Sequence, residues 1–203
     1  GTTRPAVYRS NTSWSSPAAN YQATSISSVD YDLFVCYRDY LYGRGSTGLW
    51  RYGPLSGTPT LNESFQTLSS DIILTNGVWH SKDDSLYIPQ ANAIHRWDNT
   101  SFTSNALILP SNQFINGLSE YGNYLVVATT DVNDANLNDS YLYLWDRNTS
   151  LTTVSDNIKL GREVVAGISE IDNNLIIFSY VEASSFEAGG DTIRIRLYNG
   201  NNL

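Results

Sequence analysis

The polar segment at residues 131–139, DVNDANLND, holds the side chains best suited to bind an ion. Its carboxylates and amides include Asp131, Asn133 and Asp134, which supply the hard oxygen ligands that calcium prefers. The segment lacks the glycine and the glutamate of an EF-hand loop. Asn and Asp are also frequent in exposed turns for backbone reasons alone. Calcium at these three residues and an ordinary solvated turn are therefore the alternatives, and no other cofactor is predicted.

The side chains that could act as nucleophiles or bases are few. Cys36 is the only cysteine and lies in the apolar run LFVCY, where a free cysteine is expected to be buried. His80 and His95 are the only histidines, and neither has the spacing of a metal ligand. Ser119 lies in GLSEYG, but the second glycine comes one position too late for a nucleophile elbow. We therefore predict structural roles for these residues, no catalytic residue and no enzyme activity.

The segment at residues 38–45, RDYLYGRG, is the best candidate for contact with another molecule. Tyr40, Tyr42 and Arg44 are residue types that anchor protein interfaces. The equivalent stretches at residues 131–139 and 182–190 differ in sequence, and such variable excursions often cluster on the binding face of a repeat protein. The sequence thus predicts an interaction loop here, with a solvated loop as the alternative.

These segments are carried by a repeated pattern. Residues 116–127, NGLSEYGNYLVV, return as residues 166–177, AGISEIDNNLII. An aromatic run with a polar turn, HRWDNTSF at residues 95–102, returns as LWDRNTSL at residues 144–151. A repeat of roughly 40–50 residues with four short β-rich runs is typical of a propeller blade, because solenoid repeats of similar length are helical. We therefore predict an array of small β-sheets.

The runs within a repeat predict the strands. In the third repeat they are residues 115–119, 124–129, 140–145 and 151–154. Residues 124–128 and 175–178 are continuously apolar, as in a strand covered on both faces. Residues 141–145 and 193–197 alternate, so one face of each should be wet. The predicted fold is all-β, a single β-propeller domain or propeller segment of about four four-stranded antiparallel blades, with approximate repeat units 6–48, 49–94, 95–142 and 143–198.

This layout resembles kelch-like and related β-propellers, in which a strand ends in a turn containing an aromatic residue followed by aspartate. The matching residues are WDNTS at 97–101 and WDRNTS at 145–150. The Gly-Gly pair of kelch blades is replaced by ATT at residues 128–130 and SYV at residues 179–181. The composition also resembles propeller segments of bacteriophage virion and tail-associated proteins. That resemblance implies a structural protein that contacts other protein subunits of an assembly such as a phage particle.

Composition and charge narrow the partners. The 203 residues carry 12 basic and 20 acidic side chains and a net charge of −8, which argues against nucleic acid. Only two basic residues are lysines, which argues against an anionic membrane. Since the chain has no methionine, we expect a processed product or one segment of a longer protein. We expect an extracellular or virion-associated location. The 14 Tyr and 5 Trp favour the alternative, an extracellular carbohydrate-binding or carbohydrate-active propeller such as a lectin, adhesin or glycosidase.

Overall fold

The chain consists of β-strands and turns throughout the part that the computed structural model describes, which comprises residues 6–10, 21–25, 33–45, 48–69, 71, 73–131, 139–148, 157–181 and 192–200. All strand pairs in this part are antiparallel, and the strands within each sheet follow the order of the sequence. This confirms the predicted all-β fold built from propeller-type sheets. Cα packing divides the chain into two compact units, Gly1–Ser70 and Asp71–Leu203.

The first unit contains a two-stranded and a four-stranded sheet. Its strands are β1 (Ala6–Ser10) and β2 (Tyr21–Ser25), followed by β3 (Phe34–Tyr37), β4 (Tyr40–Gly45), β5 (Gly48–Gly53) and β6 (Thr60–Gln66). Trp50 and Tyr52 of β5 form the apolar centre of the larger sheet. Gly43 of β4 pairs with Trp50, and a Cβ atom at Gly43 would lie 2.2 Å from the Trp50 ring. Only glycine therefore fits beneath this indole.

The second unit contains three successive sheets. Their strands are β7 (Val78–His80), β8 (Ser85–Gln90), β9 (Ala93–Trp97) and β10 (Phe102–Ile108), then β11 (Gln113–Tyr121), β12 (Tyr124–Asp131), β13 (Asp139–Trp145) and β14 (Asn157–Arg162), then β15 (Val164–Ile171), β16 (Asn174–Val181) and β17 (Thr192–Tyr198). The first three strand predictions for the β11–β14 sheet are confirmed. The fourth strand is Asn157–Arg162, whereas the predicted residues 151–154 lie outside the described residues.

The three sheets of the second unit are separated by two apolar layers. Leu125 and Val127 of β12 belong to the layer shared with the β7–β10 sheet. Val126 and Ala128 belong to the layer shared with the β15–β17 sheet. All four side chains are buried, because successive residues of a strand point to opposite faces. The prediction that this strand is covered on both faces is therefore confirmed.

The prediction that residues 175–178 are covered on both faces is wrong. Leu175 and Ile177 of β16 are buried against the β11–β14 sheet, but Phe178 is exposed. β16 is the middle strand of its sheet, so hydrogen bonding to both neighbours does not by itself cover its two faces. On the side of the sheet that carries Phe178, its partner Ile195 of β17 is also exposed. Continuous hydrophobicity indicated the potential for burial on two faces, while the tertiary structure supplies a neighbour for one.

The repeated aromatic-Asp motif forms a turn held by its aspartate. The Asp98 carboxylate accepts hydrogen bonds from the backbone amides of Thr100 at 2.9 Å and Ser101 at 2.7 Å. Hydrogen bonds from the Thr100 hydroxyl and these amides lower the pKa of Asp98. In the next repeat, Asp146 accepts a bond of 2.9 Å from the Asn148 amide. The motif is thus a local turn device, as expected for an aspartate that bonds to its own following backbone.

The sequence repeats and the sheets have different starting points. The repeat units 49–94 and 95–142 begin near the third strand of one sheet. Each of these units therefore contains strands from two successive sheets. In the structure, each four-stranded sheet is instead a contiguous segment of chain that begins with the Gly-Leu-Ser type of strand or its equivalent.

Candidate interaction surface

The predicted interaction loop is a strand. Residues 38–39 form a tight turn, and the residues from Tyr40 onward form β4. Tyr42 is fully buried, with its ring centroid 6.2 Å from that of Tyr37 and 5.6 Å from that of Phe65. The assignment of Tyr42 to an interaction loop is therefore corrected, because alternation along the strand turns its ring into the core. Tyr40 and Arg44 are half-buried, and a contact role for them stays a prediction.

The calcium prediction is only partly within the described residues. Asp131 is the last residue of β12, and its carboxylate accepts a hydrogen bond of 2.6 Å from the Asn112 side-chain amide. Asn133 and Asp134 lie outside the described residues. Among the residues that are described, no group of three or more His, Cys, Asp or Glu side chains could hold a metal ion. Calcium binding by this segment stays a prediction.

Cys36 and His95 differ in how well their burial was predicted. Cys36 is exposed, so its predicted burial is wrong; it lies in β3, which is a terminal strand of its sheet. His95 is buried, as expected for a structural histidine. Its Nε2 donates to the Gln90 side-chain oxygen at 3.1 Å, and its Nδ1 accepts from the Asn105 amide at 3.1 Å. Burial lowers the pKa of His95, so the ring is neutral near pH 7.

His80 is also fully buried and fully bonded. Its Nε2 donates to the Tyr124 carbonyl oxygen at 3.1 Å. Its Nδ1 accepts from the Lys82 amide at 3.3 Å and from the Arg147 guanidinium at 3.2 Å. The carboxylates of Asp83 and Glu120 lie 3.7 and 3.9 Å from Nδ1, beyond hydrogen-bond distance. Burial first, and then the Arg147 charge, lower the pKa of His80, so the ring is neutral and both nitrogens serve structural bonds.

Glu120, one of the two repeated glutamates, joins neighbouring sheets. Its carboxylate accepts hydrogen bonds from the backbone amide of Ser81, at 3.1 Å, and from the Ser81 hydroxyl. Ser81 lies in the turn between β7 and β8, so this contact ties β11 to the preceding sheet. An open groove of about 560 Å³ lies beside it, lined by Ser119, Glu120, Ser169, Glu170, Asp172 and Asn173. The Glu120 side chain therefore has a structural partner within the fold.

Glu163 forms a buried ionic cluster that the sequence interpretation missed. It is the single residue between β14 and β15, and its side chain is completely buried. Its carboxylate accepts hydrogen bonds from Arg196 Nη2 at 2.6 Å, Arg194 Nη1 at 3.2 Å and the Ser179 hydroxyl. The Ser140 hydroxyl donates to its carbonyl oxygen. The available signal was IRIRL, where two arginines alternate with apolar residues and require a carboxylate if their side is the buried one.

Competing effects set the ionisation of Glu163. Burial is the largest single contribution, and it raises the pKa of this carboxyl. Hydrogen bonds from Arg196 and Ser179, together with the charges of Arg196 and Arg194, outweigh burial and lower the pKa. Glu163 is therefore ionised near pH 7 and holds the β15–β17 sheet to the segment that leads into it.

The β15–β17 sheet presents an uncovered apolar surface. We name it the outer face. Its side chains belong to β16 and β17, where they alternate with Leu175 and Ile177 and with Arg194 and Arg196, which point to the other side of the sheet. The register pairs Ile176 with Leu197, Phe178 with Ile195, and Tyr180 with Ile193. Four of these side chains are strongly exposed, Phe178 by 42%, Leu197 by 59%, Ile195 by 64% and Ile193 by 76%.

The outer face also lacks charge. The outer face continues into β15, where Ser169 pairs with Ile176 and Gly167 pairs with Phe178. None of these described residues is charged, whereas 16% of the whole chain is. Contiguous apolar surface of this kind marks a site of interaction with another molecule or surface. The prediction that one face of β17 is wet is confirmed. The more exposed face is the apolar one, because the arginines on the other face are turned toward Glu163.

The fold and this surface define an all-β protein of propeller-type sheets. No protein-family model matches the chain, and no curated protein matches it. Among solved structures, the chain is similar to the extracellular domain of a one-component system of B. thetaiotaomicron, with 16% identity and a TM-score of 0.49. The similarity covers 85% of this chain and 23% of that chain, so this chain spans about a quarter of the other's length. No helix in the described part of this chain is long and apolar enough to cross a membrane.

Proposed function

We propose that the chain is a non-enzymatic structural or interaction module of the β-propeller type that works as a component or segment of a larger assembly. The outer face carries this proposal. Its exposed Phe178, Ile193, Ile195 and Leu197 lie in two adjacent strands of one sheet. Exposure of such a surface to water is unfavourable, because burial of each Å² of apolar surface contributes roughly 25 cal/mol of stabilising free energy. The working protein therefore covers it with a partner.

The bonding of the acid–base residues supports a role without catalysis. His80 and His95 are neutral, and both nitrogens of each ring are engaged in hydrogen bonds. Glu163 is held by two arginines and Glu120 by Ser81. A general acid or base needs a proton site that can reach a substrate. These four side chains are instead committed to contacts within and between sheets.

The proposed partners are other protein subunits, with neither nucleic acid nor membrane among them. The net charge of −8 supports the exclusion of polyanions, and the uncharged outer face supports a protein partner. The Asn-, Ser-, Thr- and Tyr-rich composition supports an extracellular or virion-associated location, with a phage particle as the proposed assembly.

A second candidate is an extracellular carbohydrate-binding propeller. The observation that favours it is a pair of exposed aromatic side chains, Trp79 and Tyr124, on neighbouring sheets. The Trp79 side chain is fixed by a hydrogen bond of 3.0 Å from its indole nitrogen to Asp84. Aromatic faces with a polar edge suit contact with the apolar faces of sugar rings.

Two measurements test the proposal. The purified chain is incubated with a panel of oligosaccharides, and new reducing ends are counted; we expect none above a heat-denatured control. Native source material is then analysed by light scattering and mass spectrometry, where we expect this chain within a particle or polypeptide much larger than 22.6 kDa. Hydrolysis of a glycan, or a free monomer of that mass, would contradict the proposed function. Glycan binding that Trp79→Ala abolishes would establish the second candidate instead.

A further inference from the structure

The outer face is equivalent, in the sequence repeat, to a surface of the β11–β14 sheet that is covered by the next sheet. The sequence repeat places Gly117 and Gly167 at equivalent positions. In the β11–β14 sheet, register joins Gly117 to Ala128 and Ala128 to Leu142. In the β15–β17 sheet, register joins Gly167 to Phe178 and Phe178 to Ile195. The row of Gly117, Ala128 and Leu142 is therefore equivalent to the row of Gly167, Phe178 and Ile195.

The row of Gly117, Ala128 and Leu142 is covered by the next sheet, whereas the equivalent row of the outer face is exposed. Ala128 and Leu142 are fully buried in the apolar layer that also contains Val165, Leu175 and Ile177 of the next sheet. Phe178 and Ile195 are exposed and are larger than, or as large as, the residues at the equivalent buried positions. The outer face thus has the position and the hydrophobicity of an interface between successive sheets.

The two equivalent glycines provide an independent observation. A Cβ atom at Gly117 would lie 3.4 Å from Ile168 Cγ1, a side chain of the next sheet. A Cβ atom at Gly167 would meet no atom within 4 Å. Neither glycine has a positive φ, so backbone conformation does not require glycine at these positions. At Gly117 a side chain of the neighbouring sheet thus lies at van der Waals distance, whereas the equivalent position Gly167 is open on the outer face.

We infer that the outer face docks a further propeller-type antiparallel sheet, whose first two strands present aliphatic side chains in the manner of Val165, Leu175 and Ile177. This inference rests on the proposed function and names the kind of partner that function requires. A strand added to the edge of β17 would extend the sheet but would leave its outer face wet. In both apolar layers of the second unit, the side of a sheet that is equivalent to the outer face contacts the opposite side of the sheet that follows it in the sequence. Contact between two copies of the outer face would not reproduce that geometry.

The test joins a blade-type sheet to the complete chain. A second copy of residues 71–162, which carries the β7–β10 and β11–β14 sheets, is fused after Leu203 through a flexible linker. Amide hydrogen exchange is then compared in β16 and β17 of the fused and the original chains. We expect exchange in these two strands to slow by about tenfold in the fused protein, because the covered sheet opens less often.

Matched variants make the result decisive. Ile195→Asp should abolish the slowing in the fused protein, while it leaves the original chain folded, since this side chain is mostly exposed. Leu74→Asp, at another exposed apolar residue of the same unit, should leave the slowing intact. The amides of the added copy report whether that copy is folded; where they exchange freely, residues 113–162 alone are fused and the comparison is repeated.

Two outcomes would overturn the inference. The first is unchanged exchange in β16 and β17 beside a folded added copy. The second is a dimer of the original chain that Ile195→Asp converts to a monomer, because that result assigns the outer face to a second copy. Hydrolysis of a glycan by the purified chain would remove the proposed function without changing hydrogen exchange, so the two failures are distinguishable.

Discussion

Arg196 Nη2 of β17 donates a hydrogen bond of 2.6 Å to Oε1 of Glu163, the residue that connects β14 to β15. This contact fixes the third strand of one sheet to the point where the chain enters that sheet. It also turns one side of β17 inward through its arginines, which leaves Ile193 and Ile195 on the other side. The buried ion pair and the exposed apolar face are therefore two consequences of the same alternation along one strand.

Removal of the Glu163 charge should destabilise the second unit. Glu163→Gln leaves two arginines facing an amide in a buried position, and loss of one partner of such a pair typically costs about 3 kcal/mol. We expect the free energy of unfolding, measured by urea denaturation, to fall by roughly 2–3 kcal/mol, since both arginines retain some access to water. Glu170→Gln is the control, because no side-chain hydrogen bond of Glu170 to a described residue is present. Equal losses in the two variants would contradict this account.

The same carboxylate should make stability depend on acid pH. The folded-state pKa of Glu163 is lowered below its ordinary value of 4.5, so the unfolded chain binds this proton first. The stabilising contribution is complete above pH 4.5 and is lost as the pH falls through the folded-state value. We expect urea midpoints of the wild type to decline below that pH and the decline to be shallower in Glu163→Gln. Parallel curves would show that other carboxyls dominate.

The two histidines should make the stability depend on pH in a range above that of Glu163. The pKa values of His80 and His95 are both lowered from 6.5, chiefly by burial, so the unfolded chain takes up protons that the folded chain resists. The unfolded state is thus favoured as the pH falls below 6.5. We expect the urea midpoint to drop between about pH 7 and pH 5.5. His95→Gln, which retains a donor for Gln90, should reduce that drop, and an unchanged slope would contradict the assignment to His95.

The paired glycines offer a direct comparison of covered and uncovered positions. Gly117→Ala places a Cβ atom 3.1 Å from the Ala128 Cβ of the same sheet, which must yield by a few tenths of an ångström, and 3.4 Å from Ile168 Cγ1 of the next sheet, so the position becomes crowded. We expect the free energy of unfolding to fall by about 1–2 kcal/mol. Gly167→Ala meets open space and should be neutral or stabilising by about 0.5 kcal/mol through the unfolded chain. Thermal or urea denaturation measures both variants, and equal effects would refute a difference in covering.

The sequence by itself determined the repeated elements of this protein. Alternating and continuous apolar runs located the first three strands of the β11–β14 sheet, because side-chain direction in a strand has a period of two that needs no tertiary information. The aromatic-Asp turns were likewise predictable, since the Asp98 carboxylate accepts hydrogen bonds from Thr100 and Ser101 of its own turn. The structural roles of His80 and His95 followed from their lack of metal-ligand spacing and are consistent with their buried hydrogen bonds.

Only the tertiary structure decided which face of each strand is covered. Periodicity separates the two faces of β17 but does not show which of them is covered; the carboxylate of Glu163, distant in sequence, turns Arg196 inward. The burial of Tyr42 and the exposure of Cys36 have the same origin, because each depends on what lies against the sheet. Strand pattern is local, whereas coverage depends on neighbouring sheets that the pattern does not specify.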